Sequence, residues 1–223
     1  NNVVLPSKLG GSSVWIDPNA PSEERYKNQS KVYNPDVALQ FHMHCSPDGI
    51  HWKFLRRIEL DLGGGWDTQN IVFWDPTIKA YREYHRIHLP GGVPGIATST
   101  SKEILGFPSP KEVNFPGTGL EGLYTPVVKP YYRAPHILVG FPTRYTEHKW
   151  SGPLLALPGL EERLARANSY PPSRPPLRFG RVITDALFMT SRDGANFKRW
   201  PEAFIRPGPR QRESWVYGDN FVF

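Results

Sequence analysis

A turn signal of the form S-x-D-G, followed three residues later by an aromatic, occurs twice in the chain and constrains its fold more than any other feature. It reads Ser46-Pro47-Asp48-Gly49-Ile50-His51-Trp52 and again Ser191-Arg192-Asp193-Gly194-Ala195-Asn196-Phe197. A weaker copy, Thr98-Ser99-Thr100-Ser101-Lys102 with Phe107 beyond it, lies between them. Asp-Gly makes a tight turn, and the aromatic packs back on the sheet. Each copy follows a strand-like run, at 38–44, 95–98 and 186–190.

First strands recur as well. Val14-Trp15-Ile16-Asp17-Pro18 matches Val72-Phe73-Trp74-Asp75-Pro76, and Val127-Val128-Lys129-Pro130 takes the same place in the next unit. Second strands are expected at 81–87 and 136–145, and fourth strands at 54–60, 111–115 and 202–206. Four strands roughly every 50 residues is the pattern of a β-propeller blade. The 24 Pro and 20 Gly in 223 residues agree, since they favour short strands joined by turns. The chain holds about three blades and, at 215–223, the start of a fourth.

The stretch 146–181 breaks the period. Within it 160–166 reads as a short helix whose Leu160 and Leu164 dock on the propeller, and 170–176 as a stiff proline-rich loop. Residues 1–223 thus read as one partial all-β domain with a non-blade insertion at about 146–181. The start at Asn1-Asn2-Val3-Val4 and the close on Phe221-Val222-Phe223 predict a piece of a longer protein.

First strands line the central channel of a propeller, so residues at their equivalent ends converge on one mouth. Aligning the Pro turns places Asp67 over Glu121, and Asp219 stands in the incipient next unit. Hydrolysis of a glycosidic bond needs such a set. One carboxyl protonates the leaving oxygen and an ionised one serves as base or nucleophile. A third holds the proton on the acid by like charge. Glu121 is expected as the general acid, Asp67 as base or pKa modulator, and Asp219 as the third acid. The Asp67 and Glu121 carboxyls should then lie roughly 5–10 Å apart. Placed for chemistry rather than packing, Glu121 should tolerate Gln with little loss of stability. The other reading of these acids is that each is a solvated loop residue at a strand start.

Around them, Gln69 and Asn70 offer amides to sugar hydroxyls. Trp66, Tyr124 and Trp215 either cover a sugar ring or pack within the blade. Arg86 and Arg144 end second strands, where a guanidinium forks onto sugar hydroxyls or a carboxylate, or pairs with a neighbouring acid. His85 and His88 alternate with Arg86 and suit at most a hydroxyl contact.

The formal charge of +6 is scattered, not gathered into the stripe that nucleic acid requires. No apolar run approaches a membrane span and no signal peptide is present. Cys45 is the single cysteine, which rules out an internal disulfide. His42 and His44 share one face of a strand, as two metal ligands do, but no third ligand is in sight. No metal and no organic cofactor are expected.

Blade-length repeats, S-x-D-G turns and first-strand carboxylates resemble the five-bladed β-propeller glycoside hydrolases of families 32 and 43. The segments Asp67-Thr68-Gln69-Asn70, Phe141-Pro142-Thr143-Arg144-Tyr145 and Trp215-Val216-Tyr217-Gly218-Asp219-Asn220 are similar to uncharacterised secreted bacterial relatives of that group. The resemblance implies five blades, a secreted or periplasmic protein, a polysaccharide or oligosaccharide substrate, and acids on successive inner strands as the catalytic set. Two alternatives differ in what they need. A propeller that only binds sugar keeps the aromatics without convergent acids, and one that binds proteins shows an exposed apolar face.

Overall fold

The computed structural model describes residues 4–5, 9–32, 40–58, 69–119, 121–168 and 182–208. The first blade is a ladder of β1 (Leu9–Ile16), β2 (Tyr26–Val32), β3 (Gln40–Ser46) and β4 (Lys53–Ile58), each antiparallel to the next. The second follows the same order with β5 (Ile71–Asp75), β6 (Ala80–His88), β7 (Pro94–Ser101) and β8 (Lys111–Glu112).

The third blade is bent. Its first strand is β9 (Gly122–Leu123) and β10 (Val128–Tyr131), its second β11 (Ala134–Gly140) and β12 (Thr143–Glu147). The third strand is β13 (Val182–Ala186) and β14 (Met189–Ser191), and the fourth is β15 (Lys198–Arg199). The ladder therefore divides into β9-β12-β13 and β10-β11-β14-β15. Pro126 and Pro142, which lack an N–H, sit at the bend. Phe141 N to Val127 O (2.9 Å) and Leu187 N to Pro142 O (3.0 Å) carry the pairing through it.

Both S-x-D-G turns close alike. The Ser46 hydroxyl accepts from Gly49 N at 2.9 Å, and Ser191 accepts from Gly194 N at 2.8 Å. Asp48 Oδ1 accepts the next two amides at 2.8 Å, as does Asp193 Oδ1. Gly49 and Gly194 sit at φ 77° and 78°, where a side chain is strained. Phe197 then packs in the core, and the Trp52 indole donates to Gly49 O at 2.9 Å. In the second blade the serine that ends the strand is Ser101, which accepts from Glu103 N, and not Ser99.

The blades stack face to face. Side chains alternate along β5, so Val72 joins Trp15, Phe41, Met43 and Ile58 of the first blade. Ile71 and Phe73 join Leu123, Val128, Leu138 and Met189 of the third. β1 touches β5 and β5 touches β10, so the first strands lie together. Sheets stacked this way around adjacent first strands form a β-propeller. Each fully buried Leu, Ile, Val or Phe side chain contributes about 1.5–3 kcal/mol to that stacking.

Two expectations are corrected. The fourth strand of the third blade is Lys198–Arg199, not 202–206. Pro201 cannot continue the ladder, and only Ile205 returns to bridge Ala186. Between β12 and β13 lie the helices α1 (Gly152–Leu155) and α2 (Leu160–Asn168). Leu164 on α2 is exposed, so it does not dock. No helix among the described residues is long and apolar enough to cross a membrane.

Candidate functional site

Glu121 stands just before β9, where the inner strand of the third blade begins. β12 carries Arg144, β13 carries Asp185 and β15 carries Arg199, so each of the four strands supplies one charged side chain. The signs alternate across the blade. Arg144 and Asp185 are direct cross-strand partners. Arg144 Nε donates to Asp185 Oδ1 at 2.9 Å and Nη2 to Oδ2 at 2.7 Å. Its Nη1 donates to Glu121 Oε1 at 3.3 Å and to the Pro201 carbonyl at 2.9 Å. The Arg199 guanidinium pairs with the other oxygen of Glu121 and donates to Gly119 O at 3.2 Å.

Exposure falls along the row. The side chain of Glu121 is 35% exposed, Arg144 16%, Asp185 14% and Arg199 3%. Burial pushes the Arg199 guanidinium below its ordinary pKa. A buried guanidinium needs a counter-charge, and Glu121 supplies it. Glu121 is therefore also placed for stability, against the expectation that it is free of structural work.

The second blade brings its own groups to the same end. β5 starts at Ile71 opposite Tyr84, so Gln69 and Asn70 stand beside the end of β6. Asn70 is buried and Gln69 half-buried. Arg86, half-buried, has Nη2 3.4 Å from His88 Nε2. His85 and Glu83 are buried together, Nδ1 to Oε2 at 2.7 Å. Burial pushes the Glu83 carboxyl up, and His85 pulls against it. Pro94 opens β7 opposite His88, and a Cβ on Gly122 would meet Pro94 Cδ at 3.2 Å. The starts of the second and third blades thus adjoin.

Of the residues expected at the site, Gln69, Asn70, Arg86, Glu121 and Arg144 are at this end of the blades. Tyr124 is there too, but its ring is buried and edge-on to Tyr145, with centroids 6.1 Å apart, so it packs within the blade. Trp66, Asp67, Trp215 and Asp219 lie outside the described residues. Asp185 and Arg199 were not anticipated. Arg199 carried one signal, a cation two residues after the aromatic that closes a turn, while Asp185 carried none. His42 and His44 lie on β3, with ring centroids 6.1 Å apart. Among the described residues no group of three or more His, Cys, Asp or Glu side chains is placed to hold a metal ion.

No family model and no curated protein matches the chain. Among solved structures, a mutant of the α-L-arabinofuranosidase of Fusarium graminearum, in complex with an iminosugar inhibitor, is similar at a TM-score of 0.50 and 9% identity. That match covers 84% of this chain and 49% of the enzyme. An N-acetylgalactosamine deacetylase from F. plautii, in complex with blood group B trisaccharide, matches at 0.49 and 10% identity over 94% of this chain and 73% of its own. The α-L-arabinanase of Penicillium chrysogenum, complexed with arabinobiose, matches at 0.48 and 12% identity over 93% and 54%. The chain spans about half the length of the arabinofuranosidase and the arabinanase. At these identities the likeness to the arabinofuranosidase is one of fold: the chain is built of β-propeller blades.

Proposed function

We propose that the protein is a glycoside hydrolase whose site lies where the inner strands of its blades begin. One observation carries this reading. Glu121 presents a partly exposed carboxyl at a first-strand start, paired through its two oxygens with two guanidiniums. Charge-assisted bonds of this kind give a carboxylate a defined position. Held so, Glu121 is proposed to serve as base, nucleophile or stabiliser of the oxocarbenium-like transition state, in place of the general-acid role expected from the sequence. The proton donor is then sought at Asp67 or Asp219, the acids that the sequence repeat aligns with Glu121. Gln69, Asn70 and Arg86 are proposed to bind hydroxyls of the sugar. We take the whole propeller to have five blades and to act outside the cytoplasm, as the resemblance implies.

A second reading, a propeller that binds sugar without cleaving it, is favoured by the same ion pairs. Among the described residues both ion pairs of Glu121 are with arginines. The experiment that separates the readings is a hydrolysis screen on the full-length protein, with 4-nitrophenyl pentosides and hexosides, arabinan and fructan. Cleavage of any of them, lost in Glu121→Gln, supports hydrolysis. Sugar binding by calorimetry without cleavage supports the second reading.

A further inference from the structure

We propose that Asp185 is a positioning residue that fixes Arg144, and through it the carboxylate of Glu121; its consequence for turnover rests on the glycosidase reading, its geometry does not. An arginine on a strand has several rotatable bonds and would sample many orientations. Two parallel bonds from Asp185, at 2.9 and 2.7 Å, fix both the plane and the direction of the Arg144 guanidinium. With Nε and Nη2 committed, Nη1 is the nitrogen turned away from Asp185. It meets Glu121 Oε1 at 3.3 Å and Pro201 O at 2.9 Å.

The placement is set by the backbone. Arg144 pairs in register with Asp185 on one side and with Leu123, two residues after Glu121, on the other. No loop has to adjust for the three side chains to meet. Asp185 also balances the charge of Arg144, so Glu121 feels a directed donor more than an isolated cation. Arg199 closes on the opposite oxygen from a position that is almost fully buried. A sugar hydroxyl approaching Glu121 therefore meets a carboxylate of fixed plane.

The test uses the full-length protein and the variants Asp185→Asn, Asp185→Glu, Glu121→Gln and Arg144→Lys. The first readout is the Nε–H resonance of Arg144 in nitrogen-15 NMR, assigned by its loss in Arg144→Lys. In the wild type it is expected to exchange slowly with water. In Asp185→Asn that exchange should quicken at least about tenfold, while in Glu121→Gln it should stay slow. The second readout is kcat and KM on the 4-nitrophenyl glycoside that the wild type cleaves. Asp185→Asn should lower kcat about 10- to 100-fold with little change in KM, and Asp185→Glu should restore part of it. A purely structural ion pair would change the melting temperature and leave the kcat of the folded fraction alone. Slow exchange retained in Asp185→Asn overturns the proposal, whatever the activity. If the resonance behaves as expected but the wild type cleaves nothing, Asp185 keeps its positioning role and the glycosidase reading is what fails.

Discussion

The Tyr84 hydroxyl donates to the carbonyl oxygen of Gly194 at 2.8 Å, so the second strand of one blade is bonded to the turn of the next across 110 positions. Gly194 also lies against the Arg82 guanidinium, which Asp75 holds at 3.1 Å in a buried ion pair. A Cβ on Gly194 would run into that guanidinium. Gly49 has nearly the same φ, but its nearest neighbours are Tyr26 ring carbons at 3.9 Å. Gly194→Ala should thus cost about 3 kcal/mol and Gly49→Ala about 1 kcal/mol, read as shifts in the urea midpoint. Equal losses would mean that backbone conformation alone matters and the contact between blades does not.

Glu121→Gln should destabilise the protein by about 2 kcal/mol. It strips the counter-charge from Arg199, whose side chain is only 3% exposed, but Glu121 is itself partly solvated, which softens the loss. Replacing both, as Glu121→Gln with Arg199→Met, should cost less than the sum of the single changes. Chemical denaturation of the four proteins gives the coupling. Strict additivity would show that the ion pair contributes nothing.

Stability should fall as pH drops below about 6.5. Burial pushes the His44 ring below its ordinary pKa, with His42 adding to the effect, and burial also lowers His42. A depressed histidine takes up a proton more readily when unfolded. Its stabilising contribution is therefore present above the unfolded pKa and is lost as pH falls through the folded one. The melting temperature should drop by about 2–4 °C for each kcal/mol lost, and His44→Gln should flatten the slope. Identical slopes in both proteins would contradict this.

The excursion through α1 and α2 should be removable. Glu147 and Val182 are paired on one rung of the ladder, so the segment leaves and returns at the same place. The Arg163 guanidinium bonds the carbonyls of Leu154, Leu157 and Pro158, all within the excursion. Replacing 149–180 by a short Gly-rich turn should leave cooperative melting intact, since loop closure depends only weakly on length. Loss of cooperativity in that variant would place the segment in the core.

The blades were legible because their signals are local. Ser46 and Ser191 each bond an amide three residues on, and an Asp-Pro pair marks the end of two first strands. Such chemistry is written within a few residues. The fourth strand of the third blade was misplaced because the apolar residues at 203–205 resemble a strand, whereas Pro201 interrupts the ladder before them. At the candidate site, the positions of Glu121 and Arg144 were legible, as a carboxyl at a strand start and a cation at a strand end. Asp185 and Arg199 were not, because their roles come from lateral pairing between strands 41 and more positions apart. Alternation along a single strand says which face a residue shares, but not which charge lies opposite.

Glu121 is proposed to take part in cleaving a glycosidic bond. The most direct test measures hydrolysis of 4-nitrophenyl glycosides, α-L-arabinofuranoside among them, by the full-length wild type and by Glu121→Gln. Circular dichroism must show that both are folded at the assay temperature. Cleavage of at least one glycoside by the wild type and a loss of kcat of at least roughly 100-fold in the variant are expected. Undiminished cleavage by a folded Glu121→Gln, or no cleavage by a folded wild type across the panel, would contradict the proposal.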